Sequence, residues 1–269
     1  MSDPRAMDGS NAFNFDRAAE YYDATRGFPP EIIDKIGEFI AQTAQLNGSE
    51  QTLDVGIGTG RVALPLAPHV DHIIGIDISR SMMQRLLRKR NDHPVTPVQA
   101  DAHLMPFASQ TFDLALATHI FHLVSDPAGV MDEISRVLKP GGRLIHTFNR
   151  YTSGGPMQTI VDAWNSTNPP SRLRAGSPRI DDLLTRAGWS IVSQDVLEYD
   201  TVTTPQDFLD RIEKRQWSRT WLYSEEEIEA RLQPVYAAID AHFGGDSLRP
   251  CPSPVHYHVD VHKPPEQHA

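Results

Sequence analysis

A single cysteine, Cys251, occurs among 269 residues, which excludes an intrachain disulfide and any cysteine-built metal cluster. No apolar run approaches the length of a membrane span, and residues 1–12 lack the apolar core of a secretory signal. Positive charge is also short. The 25 Lys and Arg stand against 35 Asp and Glu, for a formal charge of −10 and a pI near 5.6. A protein that tracks nucleic-acid phosphates normally presents a basic face, so neither nucleic acid nor membrane is expected as a partner. The one basic cluster, Arg85–Arg90, reads as the solvated side of a helix whose apolar stripe is Met82, Met83, Leu86 and Leu87. No internal repeat is evident, and 269 residues suffice for one large domain with insertions. The expectation is a cytoplasmic protein, with oligomeric state left open.

Against these absences stands one dense motif. Residues 52–60 read Thr-Leu-Asp-Val-Gly-Ile-Gly-Thr-Gly, a short apolar strand running into three glycines spaced by single residues. Glycines let the chain turn sharply and let a ligand approach the main chain, and helical residues from Arg61 to Leu66 would leave free N–H groups facing that ligand. The dinucleotide pattern Gly-x-Gly-x-x-Gly needs glycine at 61, where this chain has Arg61. A second apolar strand, His72 to Asp77, ends in an acid 21 residues after Gly56. In doubly wound folds an acid there accepts hydrogen bonds from ribose hydroxyls.

The alternation continues downstream. The pattern predicts strands over 52–56, 72–77, 97–101, 112–119 and 143–149, with helices over 60–67, 80–91 and 127–138. Asp126-Pro127 forms an N-cap and first-turn pair, and Pro140 with Gly141 closes that helix. Upstream, Phe13, Phe15, Tyr21 and Tyr22 precede a helix opened by Pro29-Pro30. Past 150 the expectations are a short helix at Met157–Trp164, a helix at 180–187, a strand at Trp189–Leu197 and helices from Pro205 and Ser224. Ser224 to Glu227 reads as a capping box, and Pro234 should kink or break its helix. Strict alternation makes 255–261 the last strand.

In order and spacing these elements resemble the class I S-adenosylmethionine (SAM) methyltransferases, in the group that includes the ubiquinone and menaquinone C-methyltransferases. The resemblance covers 50–148 closely and extends to the lead-in from about 13 to 40. It implies an α/β Rossmann-like, doubly wound, mostly parallel seven-stranded sheet with an antiparallel last strand and helical cap insertions. A single domain (1–269) would then comprise lid helices (1–47), a SAM-binding core (48–149) and cap insertions (150–178 and 201–252) beside the acceptor. The cofactor implied is SAM. Gly56, Gly58 and Gly60 would pass its aminoacyl part, with Asp54 near its ammonium. Asp77 would hold the ribose, Ile78 and Met82 would sandwich the adenine, and Asp101 would accept from the adenine amine with Ala102 alongside. Thr118 would approach the methionyl amine, and Tyr22 and Arg26 match a stretch that approaches the SAM carboxylate in relatives.

The resemblance implies methyl transfer to a small-molecule acceptor, with a non-catalytic SAM- or nucleotide-binding module as the alternative. Transfer from a sulfonium needs alignment more than acid or base groups. His119 and His122, just past the fourth strand, are the candidates should a base be needed. Trp217, Trp221 and Tyr223 could stack on an acceptor or anchor the cap, and Trp164 and Met157 are further candidates for a pocket wall. His256, His258 and His262 share one strand face with Asp260, but donors from a single strand rarely close a metal site. No metal is expected.

Overall fold

A computed structural model describes residues 15–151, 155–167 and 180–265. Phe13, named above, lies outside them, as do residues 1–12 and the parts 152–154 and 168–178 of the first expected cap insertion. The chain divides into two compact units. The larger holds the described residues up to Phe148, those from 180 to 197, and those from Tyr257 onward; the smaller holds 149–151, 155–167 and 198–256.

In the larger unit, α1 (Tyr22–Arg26) and α2 (Pro30–Thr43) lead into β1 (Gln51–Val55), whose last four residues are buried. A short α3 (Ala63–Leu66) precedes β2 (His72–Asp77), and α4 (Arg80–Lys89) precedes β3 (Val95–Gln99). Then come β4 (Phe112–Thr118), α5 (Pro127–Val137) and β5 (Leu138–Tyr151). The smaller unit takes α6 (Pro156–Thr167), and the chain returns as α7 (Ile180–Arg186) and β6 (Ser190–Thr203). After α8 (Pro205–Glu213) and α9 (Glu225–Phe243), β7 (Cys251–Lys263) closes the sheet.

The strand order is β3-β2-β1-β4-β5-β7-β6. The first five strands pair in parallel, with Val55 opposite both Ile76 and Ala117, and the last strands run antiparallel. This is the expected Rossmann-like mixed sheet. The winding direction reverses between β1 and β4, so a crevice opens beyond their carboxyl ends, where open α/β sheets bind ligands. Pro97 sits in edge strand β3, where a missing N–H costs least.

One core packs Leu53, Val55, Ala115 and Ala117 against Val130, Met131 and Ile134 of α5. The smaller unit has its own, built from Met157, Ile160 and Trp164 with Phe208, Ile212, Leu232, Val235 and Ile239. Met157 and Trp164 are thus core residues of that unit. Its other aromatics also pack internally: Trp217 lies edge-on to Phe208 at 5.2 Å, Trp221 Nε1 donates to the Arg215 carbonyl at 2.6 Å, and Arg231 covers Tyr223 at 4.1 Å. No helix among the described residues is long and apolar enough to cross a membrane.

Several element boundaries differ from expectation. The helix expected at 60–67 contracts to Ala63–Leu66 plus a 3-10 turn, because Gly60 adopts φ +76° and the turn persists longer. The third strand begins earlier, at Val95, where it pairs with Ile73, and α4 stops before Asn91 at φ +49°. β5 starts at Leu138 and runs through Gly141 and Gly142, with a register irregularity against β4 absorbing the turn residues. β6 and β7 are longer than alternation suggested, since main-chain pairing continues where side-chain patterning fades. Pro234 does not end α9: Leu232, Val235 and Ile239 are buried on one face, and that packing outweighs one missing hydrogen bond.

Candidate active site

β1 ends at Val55, and the N–H groups of Gly56 and Ile57 both donate to the Ile76 carbonyl, at 2.8 and 3.0 Å. The chain then turns through left-handed conformations. Gly58 (φ +55°) has open space where a side chain would begin, the nearest atoms being 3.9 Å away or more. A ligand can therefore approach its main chain. Gly60 (φ +76°) is different: a Cβ there would lie 2.4 Å from Leu86 Cδ1, so this glycine packs the turn against α4.

Asp77, at the tip of β2, is locked on both oxygens. Gly58 N–H donates to Oδ2 and Ser79 N–H to Oδ1, each at 2.8 Å. Ser79 also caps α4, its hydroxyl accepting from Met82 N–H at 3.2 Å. The capping turn that starts the helix thus also aims the acid. Burial pushes Asp77 above the usual carboxylate range, the Ser79 and Gly58 N–H bonds pull it back, and Asp16 raises it further.

A cleft of about 770 Å³, its open mouth included, extends from this acid. Gly56, Gly58 and Asp77 form one end, and Ile78 and Met82 an apolar wall. Asp101, Ala102 and His103 lie beyond, Thr118, His119 and Ile120 line the β4 side, and Phe15 and Tyr22 enter from the lead-in. Ile78 is 38% exposed, a large apolar side chain left open to this space. Asp101 Oδ1 accepts from both His103 N–H (2.9 Å) and His103 Nδ1 (2.7 Å), which leaves Oδ2 for a ligand. Burial raises the Asp101 pKa, but the His103 contacts outweigh it and hold the group low.

A smaller recess shares Tyr22, Gly56, Gly58 and Thr118 with the cleft and adds Asp54, Thr59 and Arg61. Asp54 is 3% exposed, and burial together with the charge of Asp77 pushes its pKa up to about 8. Arg61 Nη1 donates to the Arg26 carbonyl at 2.8 Å, its guanidinium lies 4.7 Å from the Phe28 ring, and its Nη2 is buried without a hydrogen-bond partner. The lead-in is pinned to the core by acids. Asp23 accepts from Thr59 (2.5 Å), Arg85 and Lys89 (2.9 Å each), and Asp16 accepts from the Ser79 hydroxyl at 2.6 Å.

His119 follows β4 in a left-handed conformation (φ +53°) and lines the cleft. Burial first, then the charges of Arg61, His122, Arg26 and His146, hold its pKa well below 6.5, so its imidazole is neutral at pH 7. His122 is exposed, its ring 6.3 Å from that of His119.

Of the residues singled out in the sequence, Tyr22, Gly56, Gly58, Asp77, Ile78, Met82, Asp101, Ala102, Thr118 and His119 converge on the cleft, and Asp54 on the recess. Gly60, Arg26 and His122 are not among the lining residues. Sequence reasoning missed His103, whose pairing with Asp101 two residues away was the available signal. It also missed Arg61, noted only as the residue that breaks a dinucleotide pattern.

A doubly wound sheet with a glycine turn at its switch point and an acid on the neighbouring strand defines a class: the Rossmann-like binder of adenosine-containing ligands. Comparison with known proteins narrows it. The methyltransferase-domain family matches residues 53–146. A phosphatidylethanolamine N-methyltransferase from Cereibacter sphaeroides is 31% identical over 144 residues, 49% of this chain and 70% of that one. A demethylmenaquinone methyltransferase from Streptomyces avermitilis is 28% identical, over 66% of this chain and 85% of that one. The fold is shared with a SAM-dependent methyltransferase from Thiobacillus denitrificans solved with S-adenosylhomocysteine, at TM-score 0.52 and 17% identity, covering 93% of this chain and 97% of that one. The chain belongs to the SAM-dependent methyltransferase family.

Proposed function

We propose that this chain transfers a methyl group from SAM to a small-molecule acceptor, with the reaction centre beside His119 at the end of β4. The observation that carries the placement is Asp77, a half-buried carboxylate immobilised by two N–H groups at the end of an apolar cleft. Such an acid has prepaid the cost of ordering and can accept from paired hydroxyls. The residues fit the donor along its length. Ile78 and Met82 offer a flat apolar slot for a purine, and Asp101 Oδ2 an acceptor for its amine. Gly58 offers bare main chain, and in the recess Asp54 and Thr118 suit an ammonium while Arg61 suits a carboxylate.

The donor's sulfonium supplies an activated methyl, so the transfer is an in-line displacement whose charge disperses. What the protein contributes is alignment and exclusion of water, through the apolar walls and the lead-in tied down at Asp16 and Asp23. A neutral His119 is the better placed of the two histidines to take a proton from a hydroxyl or amine acceptor.

Calorimetry with S-adenosylhomocysteine tests the placement. Wild-type protein should bind with a heat that Asp77→Ala removes or greatly weakens. Unchanged affinity in the folded variant would rule out the role given to Asp77. A methyl-transfer assay across phenolic, amine and activated-carbon acceptors then separates an enzyme from a binding module.

A further inference from the structure

On the face of β5 and β7 lies a cluster that methyl transfer does not use. We infer that His146, Asp260 and His262 form a binding site for one divalent transition-metal ion, Zn2+ by donor chemistry, clamped between these two strands. The sequence placed Asp260 and His262 on one strand face, where two donors cannot close a site. The sheet order sets β7 directly against β5, and this brings in His146 from a position 114 residues before Asp260.

Geometry and unmet polarity support the assignment. One donor atom from each of the three residues lies within 4.8 Å of the others. A tetrahedral ion with bonds of about 2.0–2.1 Å needs donors about 3.4 Å apart, a closure within reach of side-chain rotation. His146 is 5% and His262 1% exposed. His146 Nδ1 and both nitrogens of His262 are buried without any hydrogen-bond partner. Buried imidazoles are ordinarily satisfied on at least one nitrogen, and an ion accepting both lone pairs supplies what the protein does not.

The surroundings fit as well. Phe121 sits edge-on to His146 at 5.6 Å, and Phe148 lies 5.0 Å from the same ring, stacked in turn on His258 at 4.7 Å. An apolar wall of this kind raises the strength of the ion's bonds by keeping water out. Asp181 on α7 projects its charge onto both His146 and His262. With Asp260 it brings two negative charges to the neighbourhood, which balance a dication. The other histidines of β7 are otherwise engaged, His258 by Phe148 and His256 by Glu198 at 3.3 Å.

The test uses the full chain, stripped with a chelator and checked by circular dichroism. Zn2+ should then bind at one equivalent and raise Tm. Co2+ should produce the intense visible absorption of a low-coordinate nitrogen–oxygen site, displaced by Zn2+. Asp260→Asn and His146→Gln, both near-isosteric, should each lose more than about 100-fold in Zn2+ affinity, beyond what an outer-shell partner contributes. S-adenosylhomocysteine affinity should change little, which separates this site from the methyl-donor cleft. If the stripped protein takes up no Zn2+ or Co2+, or if both folded variants retain wild-type uptake through surface histidines, the assignment is overturned.

Discussion

Two polar regions of the larger unit are finished to different degrees. At the tip of β2, the Asp77 carboxylate meets two main-chain N–H donors at 2.8 Å. On the β5–β7 face, three imidazole nitrogens meet none. The first is a carboxylate whose orientation the main chain has already fixed; the second leaves those imidazole nitrogens without a hydrogen-bond partner. Recognition by hydrogen bonding needs prior satisfaction of the framework, while recognition by coordination needs lone pairs left over. The asymmetry follows from where each sits: the acid is in a turn, where main-chain N–H groups are available, and the imidazoles project from strands whose N–H groups serve the sheet.

The contrast can be broken from the cleft side first. Gly58→Val has room in the protein but fills the ligand's approach and strains a left-handed residue by about 1–2 kcal/mol. A folded protein with no detectable heat on adding SAM is the expected outcome. Asp77→Ala should come next, costing about 2–4 kcal/mol of SAM affinity for two charge-assisted bonds, measurable as a rise in Kd of roughly 30- to 1,000-fold.

Asp54 sharpens the comparison, because this buried carboxyl lines the recess proposed for the donor's ammonium. With its pKa raised to about 8 it is mostly protonated at pH 7. Engagement by an ammonium should expel close to one proton. Titration in buffers of differing ionisation enthalpy will reveal that release, and Asp54→Asn should abolish it. The sign for stability follows from the same shift. A carboxyl raised in the fold contributes most below its unfolded value and loses that contribution as pH climbs towards 8, so the ligand-free protein's Tm should fall over that range and fall less in Asp54→Asn.

The histidines are expected to change turnover and not affinity, and the smallest effect of all falls at His122. His119→Gln should lower kcat by about 10²–10⁴ if the acceptor must lose a proton, with SAM affinity nearly unchanged, whereas His122→Gln, exposed and off the cleft lining, should change kcat by less than about threefold. Equal losses in kcat and SAM affinity for His119→Gln would make it a packing residue. His119 is held low by burial, so its contribution to stability is present above about pH 6.5 and lost as pH falls below that.

How much could be read in advance differs by the range of the interaction involved. The glycine turn, the acid at 77 and the alternation through β5 were legible because each depends on neighbours a few residues away. Glycine where φ is positive, apolar runs where both sheet faces are covered, and Ser224 three residues before Glu227 are local rules with local causes. Where the reading slipped, a distant contact had overruled a local preference. Pro234 continues a helix because one face of α9 is buried, and β5 passes through Gly141 and Gly142 because β4 lies alongside it.

The chain's own letters determined a doubly wound sheet, a glycine turn after its first strand and the family to which the protein belongs, since those rest on backbone geometry and short-range hydrogen bonding. Tertiary structure alone decided that His119 rather than His122 faces the cleft, that Arg61 reaches the recess beside Asp54, and that His146 meets His262 across two strands. Those outcomes depend on which side of a strand or turn a side chain leaves from and which strand becomes its neighbour, and sheet order is set by the packing of the whole unit.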